Sequence, residues 1–159
     1  MSTAPSSASA PTASVDRALL EKEYFHLQSV IESFDAKSLT IKAWSVSVVG
    51  ALASSGAFSG KWQLLLFASV MSLMFWLIDS AWKTFQYANY RRIGEIEEFM
   101  RGDRANIANL QIARSWYASY KDGGIRRFRR IMCWGHVFLP HGAMFVGLLL
   151  AYIFAVYAT

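Results

Sequence analysis

Asp79 and Lys83 are the residues whose types and placement most suggest chemistry, because both follow a run that carries no charge: Trp62 to Ile78 contains no Asp, Glu, Lys or Arg. Separated by four on a helix, their side chains share one face. A charge beside hydrocarbon carries a desolvation cost that persists only where something compensates it, so such residues mark ion paths, polar partners or interface anchors. The same face, extended both ways, holds Ser72, Trp76, Gln86 and Tyr90. It predicts a polar stripe (Ser72, Asp79, Lys83, Gln86, Tyr90) turned toward a pore or a polar partner. The alternative is an ion pair that fixes the depth of the helix, with Trp82, Phe85 and Tyr87 as an aromatic belt.

Two further patterns point to surfaces rather than reactions. Ala43, Ser47, Ala51 and Ser55 recur four apart, with Gly50 and Ser54 beside them. Small side chains let helix backbones approach closely, which drives association in lipid, so these six residues are the expected helix-packing face and self-association is expected. Arg126, Arg127, Arg129 and Arg130 crowd one short stretch next to an apolar block. They are expected to bind anionic lipid headgroups, at about 1 kcal/mol per residue. This location favours a lipid bilayer over nucleic acid as the partner of a chain with formal charge +5, and no nucleic-acid binding is expected.

Catalysis has no foothold. The chain lacks the phosphate-loop, dinucleotide, nucleophile-elbow and zinc-protease motifs. His26, His136 and His141 do not suggest a metal site, since the last two are five apart with no carboxylate or second cysteine nearby in sequence. No enzyme activity, metal or cofactor is expected. The one cysteine, Cys133, cannot form an intramolecular disulfide.

The elements that must position these residues follow from hydropathy. Of 159 residues 54% are hydrophobic and 17% charged, and the mean hydropathy is +0.25, with the charges gathered between long apolar runs. Residues 1–14, a small and uncharged Ser/Ala/Thr/Pro tract, are expected to be a disordered tail. Residues 15–159 are expected to form a single helical membrane domain. Within it, 15–38 is an amphipathic helix with Leu20, Tyr24, Leu27, Ile31 and Phe34 on one stripe, packed on its own protein, lying at the membrane or acting as a self-association seam. Residues 39–58 are the first span, with Lys42 snorkelling to the headgroups. Residues 62–82 are the second, continuing as a cytoplasmic helix to about residue 100; a helix over 62–100 would be about 58 Å long, far more than a bilayer core. A cytoplasmic helix over 103–121 starts with Asp103 as N-cap and ends at Asp122-Gly123-Gly124. Residues 125–136 form a basic elbow, and 137–158 the third span, kinked or initiated at Pro140.

The fold class expected is therefore an all-α integral membrane protein with three transmembrane helices, an N-terminal amphipathic helix and a helical cytoplasmic layer. Basic residues concentrate between Arg91 and Arg130, whereas the turn between the first two spans holds Lys61 alone. Positive residues stay inside, which puts the N-terminus in the cytoplasm and the C-terminus outside, in a bacterial inner membrane. The stretch FWLIDSAWKTFQYANYRRIGEIEEF resembles the span-to-cytoplasm junction of small bacterial membrane proteins, and implies nothing about the roles of individual residues. Two functions remain open: a homo-oligomer whose spans surround a pore or ion pathway, and a membrane anchor or adaptor holding a cytoplasmic protein partner through its amphipathic and juxtamembrane helices.

Overall fold

The computed structural model describes residues 15–158; the tail over 1–14 and the side of the membrane taken by Thr159 lie outside the described residues. The described chain is all-helical: α1 (Arg17–Ser59), α2 (Gln63–Arg101), α3 (Ile112–Met132), α4 (Gly135–Phe138) and α5 (His141–Ala158). The Asp16 carboxylate starts α1 by accepting from the backbone N–H of Ala18 and Leu19 at 2.9 and 3.3 Å, which satisfies two donors that a helix start leaves free. α1 then runs 43 residues without a break, so the amphipathic segment and the apolar one are a single rod. A short turn at Gly60 reverses the chain, and α2 returns along α1 as an antiparallel partner.

α2 is the central element, packed against α1, α3 and α5. At its charged end the stripe foreseen on α1 packs inward: Leu20, Leu27 and Ile31 form a buried cluster with Ile93, Ile96 and Ile107, flanked by Tyr24 and Phe99. Phe34 continues it by packing on Trp82, with ring centroids 4.9 Å apart. The stripe is thus spent within the chain.

α2 stops at Gly102 (φ 88°), a left-handed conformation that glycine adopts without steric cost. The closing bonds run from Gly102 N–H to Phe99 O and from Asp103 N–H to Glu98 O. Asp103 therefore belongs to the end of α2. The helix expected from Asp103 starts instead at Ile112, and residues 103–111 form an irregular connection. The helical run that begins at Ile112 breaks at the two glycines: Gly124 (φ 46°, ψ −151°) is non-helical, and a second helical stretch follows it directly through the arginines to Met132, so that α3 is two helical pieces joined at a kink. The basic elbow is helical over most of its length. A turn, α4 and a cis Leu139–Pro140 bond lead into α5, which begins at His141 as a proline-initiated helix would.

α1 and α2 are long and apolar enough to cross a membrane, and residues 141–157 form a shorter apolar helix.

Candidate functional site at the meeting of three helices

The polar face of α2 turns into the protein. Ser72, Asp79 and Gln86, seven apart, are all buried, and each meets a partner on another helix. Gln86 donates to the Ile31 carbonyl of α1 at 3.0 Å; Ser72 donates to the His141 carbonyl of α5 at 2.7 Å. One turn further along, Ser69 donates to the Phe145 carbonyl at 3.1 Å. These bonds reach carbonyls near and within α5 and stitch two apolar helices together.

Asp79 sits at the centre, with no exposed surface. Its Oδ1 accepts from Ser38 Oγ at 2.6 Å, and its Oδ2 accepts from Lys42 Nζ at 2.8 Å. Lys42 donates to Ser38 Oγ as well, at 2.8 Å. From α5, the fully buried His141 brings Nε2 to 3.7 Å from Asp79 Oδ2, while its Nδ1 lies 2.8 Å from Ser45 Oγ. Nε2 has no hydrogen-bond partner. Ser38, Lys42 and Ser45 share one face of α1 by their spacing of four and three. The cluster therefore joins α1, α2 and α5 through a carboxylate, an ammonium, an imidazole and two hydroxyls. Asp79 and His141 present no surface to a substrate.

This arrangement corrects three expectations. Asp79 and Lys83 do not pair with each other: Asp79 takes Lys42, and Lys83 takes Asp35 and Gln86. Two antiparallel helices in contact offer each residue an interhelical partner, and that crossed arrangement buries Asp79 while leaving Asp35 half exposed. Lys42, expected to extend toward headgroups, spends two of its three donors on Asp79 and Ser38. Of the stripe, only Tyr90 is exposed, and none of Ser72, Asp79 and Gln86 is free to line a lumen.

The small residues of α1 are likewise displaced. Ala43, Ser47, Ala51, Ser54 and Ser55 are exposed and Gly50 is half-buried, whereas Ser45, Val49 and Gly56 form the buried face. A Cβ on Gly56 would meet Leu64 Cβ at 3.1 Å. Both faces are lined by small side chains; the one carrying Ser38, Lys42 and Ser45 has polar groups that need partners in an apolar setting, and it is the one turned inward.

The arginine cluster is divided. Arg126, Arg129 and Arg130 are exposed. Arg127 folds back across the bend, donating to Ser119 O at 2.7 Å and lying over the Tyr87 ring at 5.0 Å.

At the charged end of the α1–α2 pair, Arg92 makes two bonds to Glu23, 2.8 and 3.0 Å, with both side chains almost fully buried. Arg92 also donates to the Ala108 carbonyl at 2.7 Å, and Glu23 accepts from the Leu110 N–H at 3.0 Å. Burial opposes the Arg92 charge, but Glu23 and then Glu95 outweigh it and hold its pKa above the ordinary arginine value. This pair fixes the irregular connection against both helices, and a left-handed Leu110 (φ 57°) is the local strain it maintains. Among the described residues, no three His, Cys, Asp or Glu side chains gather as metal ligands.

Sequence reasoning missed His141, Ser38 and Ser45 as partners of Asp79, and Glu23 as the partner of Arg92. The signal available was that Lys42, Asp79 and His141 each interrupt or border an apolar segment at the same end. Comparison of the chain with family models, curated proteins and solved structures gave no match.

Proposed function

We propose that the chain is a three-span integral membrane protein that anchors a stiff cytoplasmic helical layer and presents it to a protein partner. The membrane reading is supported by what faces outward: in the most apolar windows of α1 and α2 only 17% and 33% of residues are buried, and Phe58, Phe67, Leu150 and Phe154 are exposed. A core helix of a soluble protein buries such residues. α5 is the third span, entered from the basic side, with the turn at Gly60 and the end of α5 outside a bacterial inner membrane.

The observation that carries the anchoring role is the inward, bonded stripe Ser72–Asp79–Gln86 on an unbroken α2. Its polar groups hold three spans together, and the same helix runs on into the layer clamped by Glu23 and Arg92. On that layer Phe25 and Met100 stay exposed beside Tyr24 and Ile96, an apolar patch a partner would cover. The test places a photo-crosslinking residue at Phe25 or Met100 in intact membranes. A discrete adduct with another protein at both positions is expected, and none at the lipid-facing Met74; its absence at both would defeat the adaptor role.

A second reading, a homo-oligomer around a pore or ion pathway, is favoured by the outward small-residue face Ala43, Ser47, Ala51 and Ser55. The lumen would then be lined by that face of α1 and not by Asp79. Conductance of the pure protein in planar bilayers, altered by Ser47→Leu and not by surface changes on α3, would support it; no current in any lipid would remove it.

A further inference from the structure

We propose that the cavity between α1, α2 and α4, at the basic end of the three apolar segments, binds the phosphodiester headgroup of a glycerophospholipid whose head carries a hydrogen-bond donor. The cavity has a volume of about 490 Å³ and is lined by Asp35, Leu39, Lys42, Lys83, His136 and Leu139, among others. A second cavity of about 390 Å³ adjoins it through Lys83 and His136, walled by Tyr87, Tyr90 and Trp134.

Depth identifies the ligand class. Leu39 opens the apolar part of α1, Lys83 follows the apolar part of α2, and Leu139 precedes α5, so three separate segments reach the same level here. In the membrane reading, on which this inference rests, that level is the cytoplasmic headgroup layer, where cations and aromatic rings both find lipid partners. Leu39 and Leu139 are 67% and 56% exposed at the cavity, a path for acyl chains next to a charged pocket.

The donors suit a phosphate. Lys83 Nζ spends two bonds on Asp35 and Gln86, and Lys42 Nζ spends two on Ser38 and Asp79. An ammonium has three N–H donors, so each keeps one for a phosphate oxygen, and His136 adds a ring donor. Asp35, half exposed in the same cavity, opposes a bare anion. It accepts instead from a headgroup hydroxyl or ammonium, as in phosphatidylglycerol or phosphatidylethanolamine; choline has no N–H or O–H to offer. A pocket of both signs thus selects a head that carries both an anion and a donor. The exposed Arg126, Arg129 and Arg130 offer only diffuse attraction to any anionic surface.

The test equilibrates the full-length protein in nanodiscs of mixed phosphatidylglycerol and phosphatidylcholine, extracts it in mild detergent, and counts retained lipid by native mass spectrometry. Phosphatidylglycerol should be retained over phosphatidylcholine by about tenfold, the size of one charge-assisted hydrogen bond. Lys83→Met and His136→Ala should each lose the lipid; His136 is exposed, so its removal leaves the fold intact. Asp35→Leu, which leaves no acceptor, should keep lipid and lose the preference, and the Arg129→Gln, Arg130→Gln double variant should match the wild type. Equal retention of both lipids by the wild type, retention unchanged in His136→Ala and Lys83→Met, loss in the arginine variant, or displacement by inorganic phosphate would each overturn the proposal. A protein that needs detergent yet holds no lipid defeats this inference alone; one monodisperse without any amphiphile defeats the membrane reading as well.

Discussion

His141 Nε2 and Asp79 Oδ2 stand 3.7 Å apart, both residues fully buried, where α5 and α2 both meet α1, at Ser45 and Lys42. Asp79 is the hub of that contact. Its two oxygens are bonded to Ser38 and Lys42, so replacing it leaves a largely buried ammonium without its counter-charge. Asp79→Ala is expected to cost about 3–5 kcal/mol, the range for breaking a buried pair from one side. Thermal unfolding in detergent of Asp79→Ala, Lys42→Met and the double variant checks this: the double variant should be more stable than the sum of the single losses implies.

The Glu23–Arg92 pair predicts a local effect beyond a lower melting temperature. Arg92→Leu removes the donor to Ala108 and strands the Glu23 carboxylate, again at a cost of about 3–5 kcal/mol. Hydrogen exchange should rise sharply in residues 103–111 while α5 stays protected. Arg92→Lys should not rescue it, because an ammonium cannot reproduce the two-pronged contact.

These two pairs mark the limit of what the sequence makes legible. The helices and the stripe Leu20 to Phe34 can be read from periodicity, since burial of one face is a local pattern. The charges in the apolar runs can be read as sites needing compensation. What cannot be read is which partner compensates them: Asp79 had Lys83 one turn away and took Lys42 across the helix interface. Choice between the two small-residue faces of α1 likewise depends on α2 and α5. Asp103 misled for a different reason: a cap residue marks a helix start only where the neighbouring bonds allow it, and Asp103 N–H was already committed to closing α2.

Gly124 carries the bend in α3 at φ 46° and ψ −151°, a region essentially confined to glycine. Gly124→Ala is expected to destabilise by about 1–3 kcal/mol through strain alone, since a Cβ there meets nothing within 4 Å. Its signature should be loss of the Arg127–Ser119 bond, read as increased exchange around Ser119, with the α1–α2 layer unchanged.

Acid should weaken the Lys83–Asp35 contact. The hydrogen bond from Lys83, outweighing burial, holds the Asp35 carboxyl below its ordinary value of 3.8. A carboxylate whose folded pKa is depressed adds stability above its unfolded pKa and loses it as pH falls through the lower, folded value. The melting-temperature gap between wild type and Asp35→Asn should therefore be constant from neutrality to about pH 5 and close on further acidification. A gap that widened in acid would contradict the pairing.

The central claim is that three apolar helices cross a membrane with the arginine-bearing segment on the inner side, and cysteine labelling in intact cells tests it most directly. Cys133, exposed between α3 and α4, serves as the internal probe; Ser59→Cys and Tyr157→Cys, each in a Cys133→Ser background, serve as external ones. An impermeant maleimide should label positions 59 and 157 in intact cells and position 133 only after permeabilisation. Labelling of all three from the same side, or recovery of the protein in solution without detergent, would contradict the account.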